Sequence, residues 1–175
     1  MAPIYCVPLD GFPLKILHEI GSELGRTFHA PVHFLPEVDT TEQSYDHSRG
    51  QHNSSSILVM LNSIIPTDHA RIIGITTADL FIPIFTFVFG EAQIDGPAAV
   101  VSGQRLTNEY YGMEANNLIY YERLLKECTH ELGHTYGLRH CLSDGCVMRK
   151  STYVEDIDFK TSEFCPECRT YMEAK

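Results

Sequence analysis

A chain of 175 residues with 43% hydrophobic content is long enough for one domain with a sizeable core and too short for two. Its net charge of -10 argues against a phosphate-binding surface, and so against nucleic acid as a partner. No apolar run approaches the roughly 20 residues of a membrane span, and the opening MAPIYCVPLDGF lacks the basic and apolar segments of a secretion signal, so retained thiols point to a reducing, cytoplasmic setting.

Residues 4–9 read as a buried strand, and Leu14, Leu17, Ile20, Leu24 and Phe28 fall at the spacing of a first helix. Val32, Phe34 and Val38 alternate as a second strand. Residues 39–53 are polar and turn-rich, and their His47 and His52 read as parts of a solvated loop rather than of a third metal site. Ile57, Leu58, Leu61, Ile64 and Ile65 predict a second helix, and residues 71–76 a third strand. In the run 81–89, FIPIFTFVF, Pro83 disfavours a central strand and points to an edge strand. Its free N–H and C=O groups over residues 84–89 would then offer a rail to an extended peptide. Residues 98–102 form the last strand. A long helix is expected from about 116 to 136, with Leu118, Tyr121, Leu125, Cys128, Leu132 and Tyr136 on an apolar stripe. Arg123, Glu127, His130 and His134 lie roughly opposite, facing a cleft.

That helix carries the chemistry. The segment HELGHTYGLRH reads HExxHxxGxxH, a pattern that chance places in roughly one such chain in ten thousand. His130 and His134, one helical turn apart, reach one ion, with Glu131 beside it. Gly137 can adopt the left-handed conformation that ends a helix, and the turn brings back His140 as a third ligand. Three neutral imidazoles leave a tetrahedral zinc one open position, where a water has its pKa lowered to about 7. An open position suggests catalysis, with Glu131 as the general base.

Downstream, Cys141, Cys146, Cys165 and Cys168 form two close pairs, the spacing of a closed, structural four-thiolate zinc site. A disulfide framework and a redox-active Cys165–Cys168 pair are the alternatives. Cys6 and Cys128 fall outside the pattern and read as small buried side chains. Because His140 and Cys141 are adjacent, two zinc ions would lie on the order of 10 Å apart. A four-thiolate zinc carries a charge of about minus two, which Arg139, Arg149, Lys150 and Arg169 would offset, the alternative being that they are solvated surface charges.

The combined pattern HExxHxxGxxHC-x4-C-x-M with a later CxxC resembles the archaemetzincins, also called archaelysins, a branch of the metzincin zinc metallopeptidases. Arg49-Gly50-Gln51, the segment Ile73 to Leu80 and the segment Phe87 to Ala92 are similar to the corresponding family segments. The resemblance implies a catalytic zinc on His130, His134 and His140, Glu131 as general base, Met148 in the turn beneath that zinc, and a second zinc on Cys141, Cys146, Cys165 and Cys168. It implies an α/β fold: a single compact domain over residues 1–175, with a mixed twisted sheet and an antiparallel edge strand above the cleft. Residues 1–137 would carry the sheet and the active-site helix, and residues 138–175 a zinc-stabilised part. The expected function is a peptidase acting on peptide or protein substrates, with oligomeric state left open. The alternative is a zinc-stabilised peptide-binding module, against which Glu131 weighs, since a binding protein has no chemical use for a carboxylate beside an open zinc. Tyr153, five residues past Met148, is a candidate oxyanion donor, but an ordinary, partly buried tyrosine is the favoured reading.

Overall fold

The chain runs through strand β1 (Ile4–Pro8), helix α1 (Leu14–Phe28) and strand β2 (Val32–Phe34) in the computed structural model, which describes residues 2–174. Leu17, Ile20, Leu24 and Phe28 of α1 are buried at the expected spacing, while Leu14 in the first turn stays exposed. Residues 39–53 depart from the solvated loop. They form helix α2 (Thr41–Ser44), strand β3 (Tyr45–Asp46) and strand β4 (Gln51–Asn53). His52 is buried, with Nδ1 2.9 Å from Ser44 Oγ and 3.3 Å from Thr40 Oγ1, whereas His47 is exposed beside the Tyr45 ring. Two hydroxyls supply the hydrogen bonding that a buried imidazole requires.

Helix α3 (Ser54–Ser63) begins where the Asn53 side chain accepts the Ser56 N–H at 3.1 Å. Strands β5 (Arg71–Thr76), β6 (Leu80–Phe81), β7 (Gly90–Ala92) and β8 (Ala98–Ser102) follow, then helices α4 (Asn117–Thr135), α5 (Val154–Phe159) and α6 (Pro166–Glu173). The main sheet has the order β2-β1-β5-β8-β7. Its first four strands are parallel, and β7 pairs antiparallel with β8 in the register Gly90–Val101 and Ala92–Ala99. Strands β3, β4 and β6 make a second, smaller sheet.

Ile73, Ala99 and Val101 join the core beneath α1 and α4, and their neighbours Ile72, Ala98 and Val100 join the core beneath α3. A sheet buried on both faces explains why these strands read as unbroken apolar runs. Cys6 and Cys128 lie fully buried in the first core, as small hydrophobic residues do. Among the described residues no helix is long and apolar enough to cross a membrane.

The edge strand lies elsewhere than expected. Beyond β6 the chain turns at Pro83 and Ile84 and bends at Phe85 and Thr86, and only Val88 makes an isolated bridge, to Leu80. The edge of the main sheet is β7, at Gly90–Ala92. The carbonyls of residues 85 and 86 are occupied by side chains: Arg49 Nη2 donates to the Phe85 carbonyl at 2.8 Å, and Gln51 Nε2 to the Thr86 carbonyl at 3.0 Å. Those bonds hold the segment as a loop and remove the rail assigned to residues 84–89.

Candidate active site

Helix α4 is capped by Asn116, whose side chain accepts the N–H groups of Leu118 and Ile119 at 3.1 Å. Leu118 is 67% exposed, so the apolar stripe starts later than predicted. Arg123 and Glu127, placed on a cleft-facing polar side, are both buried, and of the two only Glu127 lines the cleft. Arg123 is held by Asp158 in two parallel bonds of 2.7 Å. Lys160 Nζ lies 2.8 Å from Glu127 Oε1, an ion pair by distance whose angles fall outside hydrogen-bond geometry. Both partners come from α5 or the residue after it, more than thirty positions along the chain.

The end of α4 shapes the site. Gly137 has φ 88°, and the N–H groups of Gly137 and Leu138 bond to the carbonyls of His134 at 2.9 Å and Gly133 at 3.1 Å, closing a Schellman turn. The Leu138 carbonyl then faces His134 Nδ1 at 2.7 Å, and the Val147 carbonyl faces His130 Nδ1 at 2.8 Å. A carbonyl only accepts, so each Nδ1 carries the proton and each Nε2 keeps its lone pair. The two Nε2 atoms are 3.1 Å apart. Two ligands on a tetrahedral zinc, with bonds near 2.05 Å, stand about 3.3 Å apart. Two lone pairs at this spacing repel one another unless a cation lies between them. The ligand atoms of His130, His134 and His140 lie within 4.8 Å of one another, so the three imidazoles form one set that can hold a metal. Burial lowers the pKa of all three, His130 most strongly, which favours the neutral ligand form.

Glu131 is buried directly beneath the edge strand. A Cβ built on Gly90 would meet Glu131 Cγ at 2.7 Å and the Val100 carbonyl at 2.8 Å. Burial pushes the Glu131 carboxyl well above its usual range, with Glu127 adding to the rise and Lys160 opposing it. Gly90 escaped the sequence reading, although a glycine inside a strand is the usual sign of a close approach. The cleft there has a volume of about 620 Å³ and is lined by Phe85, Phe87 and Phe89, by the three imidazoles and Glu131, and by Lys150 to Thr152. Tyr153 is 67% exposed and absent from that lining. Its N–H donates to Asp156 Oδ2 at 2.9 Å at the start of α5, so it is neither a cleft donor nor a partly buried residue.

The four cysteines gather as a second set whose ligand atoms also lie within 4.8 Å of one another. Cys141 and Cys165 Sγ are 3.8 Å apart, as are Cys146 and Cys168 Sγ. This is far beyond a disulfide bond of about 2.05 Å. It matches the roughly 3.8 Å between two sulfurs on a tetrahedral zinc with bonds of 2.3 Å. All six cysteines are free. The Cys168 backbone N–H, at the start of α6, is the main cause of a Cys165 pKa lowered to about 7, toward the thiolate that binds metal, whereas burial raises those of Cys146 and Cys168. The basic residues near this set are partly committed elsewhere: Arg149 pairs with Asp144 and Arg169 with Glu163. Met148 is fully buried under the helix, where a Cβ on Gly133 would collide with its Sδ.

The sequence profile of peptidase family M54 matches residues 15–174. The chain belongs to peptidase family M54. It is accordingly a zinc metallopeptidase. The archaemetzincin of Archaeoglobus fulgidus is 42% identical to it, over 94% of this chain and 95% of that one. The archaemetzincin of Methanocaldococcus jannaschii is 38% identical, over 88% and 83% of the two chains. Among solved structures, A. fulgidus archaemetzincin complexed with malonate superposes with a TM-score of 0.84 at 37% identity, covering 97% of this chain and 99% of that one. A zinc-dependent peptidase of Methanocorpusculum labreanum gives a TM-score of 0.87 at 28% identity, with the same coverage. The mixed α/β architecture is therefore shared with archaemetzincins.

Proposed function

We propose that this family member hydrolyses peptide bonds at a zinc held by His130, His134 and His140, with Glu131 as general base, and that Cys141, Cys146, Cys165 and Cys168 hold a second, structural zinc. The observation that carries this reading is the pair of Nε2 atoms 3.1 Å apart, each with its Nδ1 committed to a main-chain carbonyl. Zinc at the imidazoles would polarise a peptide carbonyl and lower the pKa of a water. Glu131 takes the proton of the attacking water and delivers it to the departing amine. The base works in a dry setting because β7 covers it. The outer edge of β7 offers free N–H and C=O groups to an extended substrate. Residues 1–175 act as one domain, in which residues 138–175 fix the segment presenting His140. Reduced thiols fit a cytoplasmic setting.

The two zincs should differ in lability. The three-imidazole site has an open position and should empty first under chelator or mild acid, whereas four thiolates should release metal only as the domain loosens. Metal analysis during chelator titration tests this, and a stoichiometry capped at one zinc under zinc-replete conditions would refute it. Replacing Gly90 by Ala should displace the Glu131 side chain and lower kcat/KM by about 10²-fold, with both zincs retained. Turnover within twofold of the unmodified protein would sever Gly90 from the mechanism.

A further inference from the structure

The charges facing the cleft are unevenly matched. Glu91 accepts from the Ser55 hydroxyl at 2.9 Å, Glu127 pairs with Lys160, and Glu131 is the proposed base. Arg139 and Lys150 face the same cleft, and among the described residues neither side chain has an ion-pair or hydrogen-bond partner. The backbone brings them together. Cys141 donates its N–H to the Met148 carbonyl at 3.0 Å, closing a hairpin-like loop. Arg139 and Lys150 each lie two residues outward from that bond, one on each arm, and both line the cleft. Like charges brought close repel, and although the chain carries a net charge of -10, among the described residues no carboxylate pairs with either. Next to Lys150, the Ser151 Oγ is enclosed in the cleft wall with no hydrogen-bond partner. A buried hydroxyl without a partner carries a cost that a ligand can relieve.

We propose that Arg139, Lys150 and Ser151 form a carboxylate-binding subsite that selects peptides carrying an acidic group on that side of the scissile bond. All three offer donors, and a carboxylate has acceptor capacity for two cations and a hydroxyl. A glutamate or aspartate side chain and the terminal carboxylate of a peptide present the same chemistry, and the test separates them. The proposal rests on the peptidase reading for the identity of the ligand as a peptide.

The test uses zinc-loaded protein carrying Glu131→Gln, in which turnover is too slow to consume the probe, and fluorescein-labelled hexapeptides scanned with Glu, Gln or Lys at each position, each ending in a free acid or an amide. Fluorescence anisotropy should give about tenfold tighter binding for the acidic member of one pair. A Glu-over-Gln preference identifies a side chain, and an acid-over-amide preference identifies a terminus. Lys150→Met and Arg139→Gln, each added to that background, should cut the preference to under about threefold, and Lys150→Glu should reverse it toward Lys-containing peptides. Zinc content is measured in each, and Lys150→Met alone decides if the neighbour of His140 loses metal on substitution. Equal affinity within every pair overturns the proposal. So does a preference that survives Lys150→Met, or a loss of cysteine-bound zinc without a change in preference, which would assign these cations to the thiolate cluster. Parallel assays of the unmodified protein keep the two readings apart: failure to cleave any peptide that binds counts against the peptidase, not the subsite.

Discussion

Replacing Glu131 by Gln should lower kcat by about 10²–10⁴-fold, with zinc content and melting temperature nearly unchanged. The amide fills the same volume under Gly90, so the packing seen there survives. It cannot accept a proton from water at neutral pH. The substitution also removes a carboxyl whose burial is unfavourable to its charged form, so a small gain in stability would be consistent with the same picture. Unchanged turnover on a substrate that the unmodified protein cleaves would disprove the assignment of the base.

Cys168→Ala should do the reverse. Cys168 is buried beside Cys146 at the start of α6, and its loss leaves three ligands for the proposed structural zinc. Loss of a metal ligand belongs among the severe substitutions, about 4 kcal/mol or more. At roughly 2–4 °C per kcal/mol for a chain of this size, Tm should fall by roughly 8–16 °C. Activity should fall only in part, because Cys141 N–H and the Met148 carbonyl remain to hold the His140 segment against the helix. Calorimetry and zinc analysis side by side would check both halves. A Cys168→Ala protein with unchanged Tm would remove the second zinc from the account.

Much of this structure is written locally. The spacing of His130 and His134 and the glycine at 137 placed the end of α4 and the return of His140, because a helix and its Schellman turn are decided by a few neighbouring residues. The gathering of four cysteines was legible from two close sequence pairs, although the sulfur contacts that join them, Cys141 to Cys165 and Cys146 to Cys168, run between the pairs. What failed was long-range. The run at 81–89 has strong strand propensity, yet Arg49 and Gln51, some 35 residues earlier, take its carbonyls and hold it as a loop. Arg123 and Glu127 fall on the side of α4 expected to face the cleft, yet Asp158 and Lys160 from beyond the site bury both, and of the two only Glu127 lines the cleft. His52 follows the same pattern with Ser44 and Thr40.

The two imidazoles on α4 take their orientation from the oxygens of Leu138 and Val147, which belong to the main chain. Every amino acid carries that oxygen. Point substitution at 138 or 147 can alter packing but cannot delete the acceptor, so the histidine tautomers are insured against most mutations at the very residues that set them. Vulnerability moves instead to the path of the backbone, above all to Gly137, where φ 88° is strained for any side chain. Sequences can therefore drift at the two supporting positions while the reaction centre is inherited intact, and comparing side chains alone would overlook half of what is being preserved.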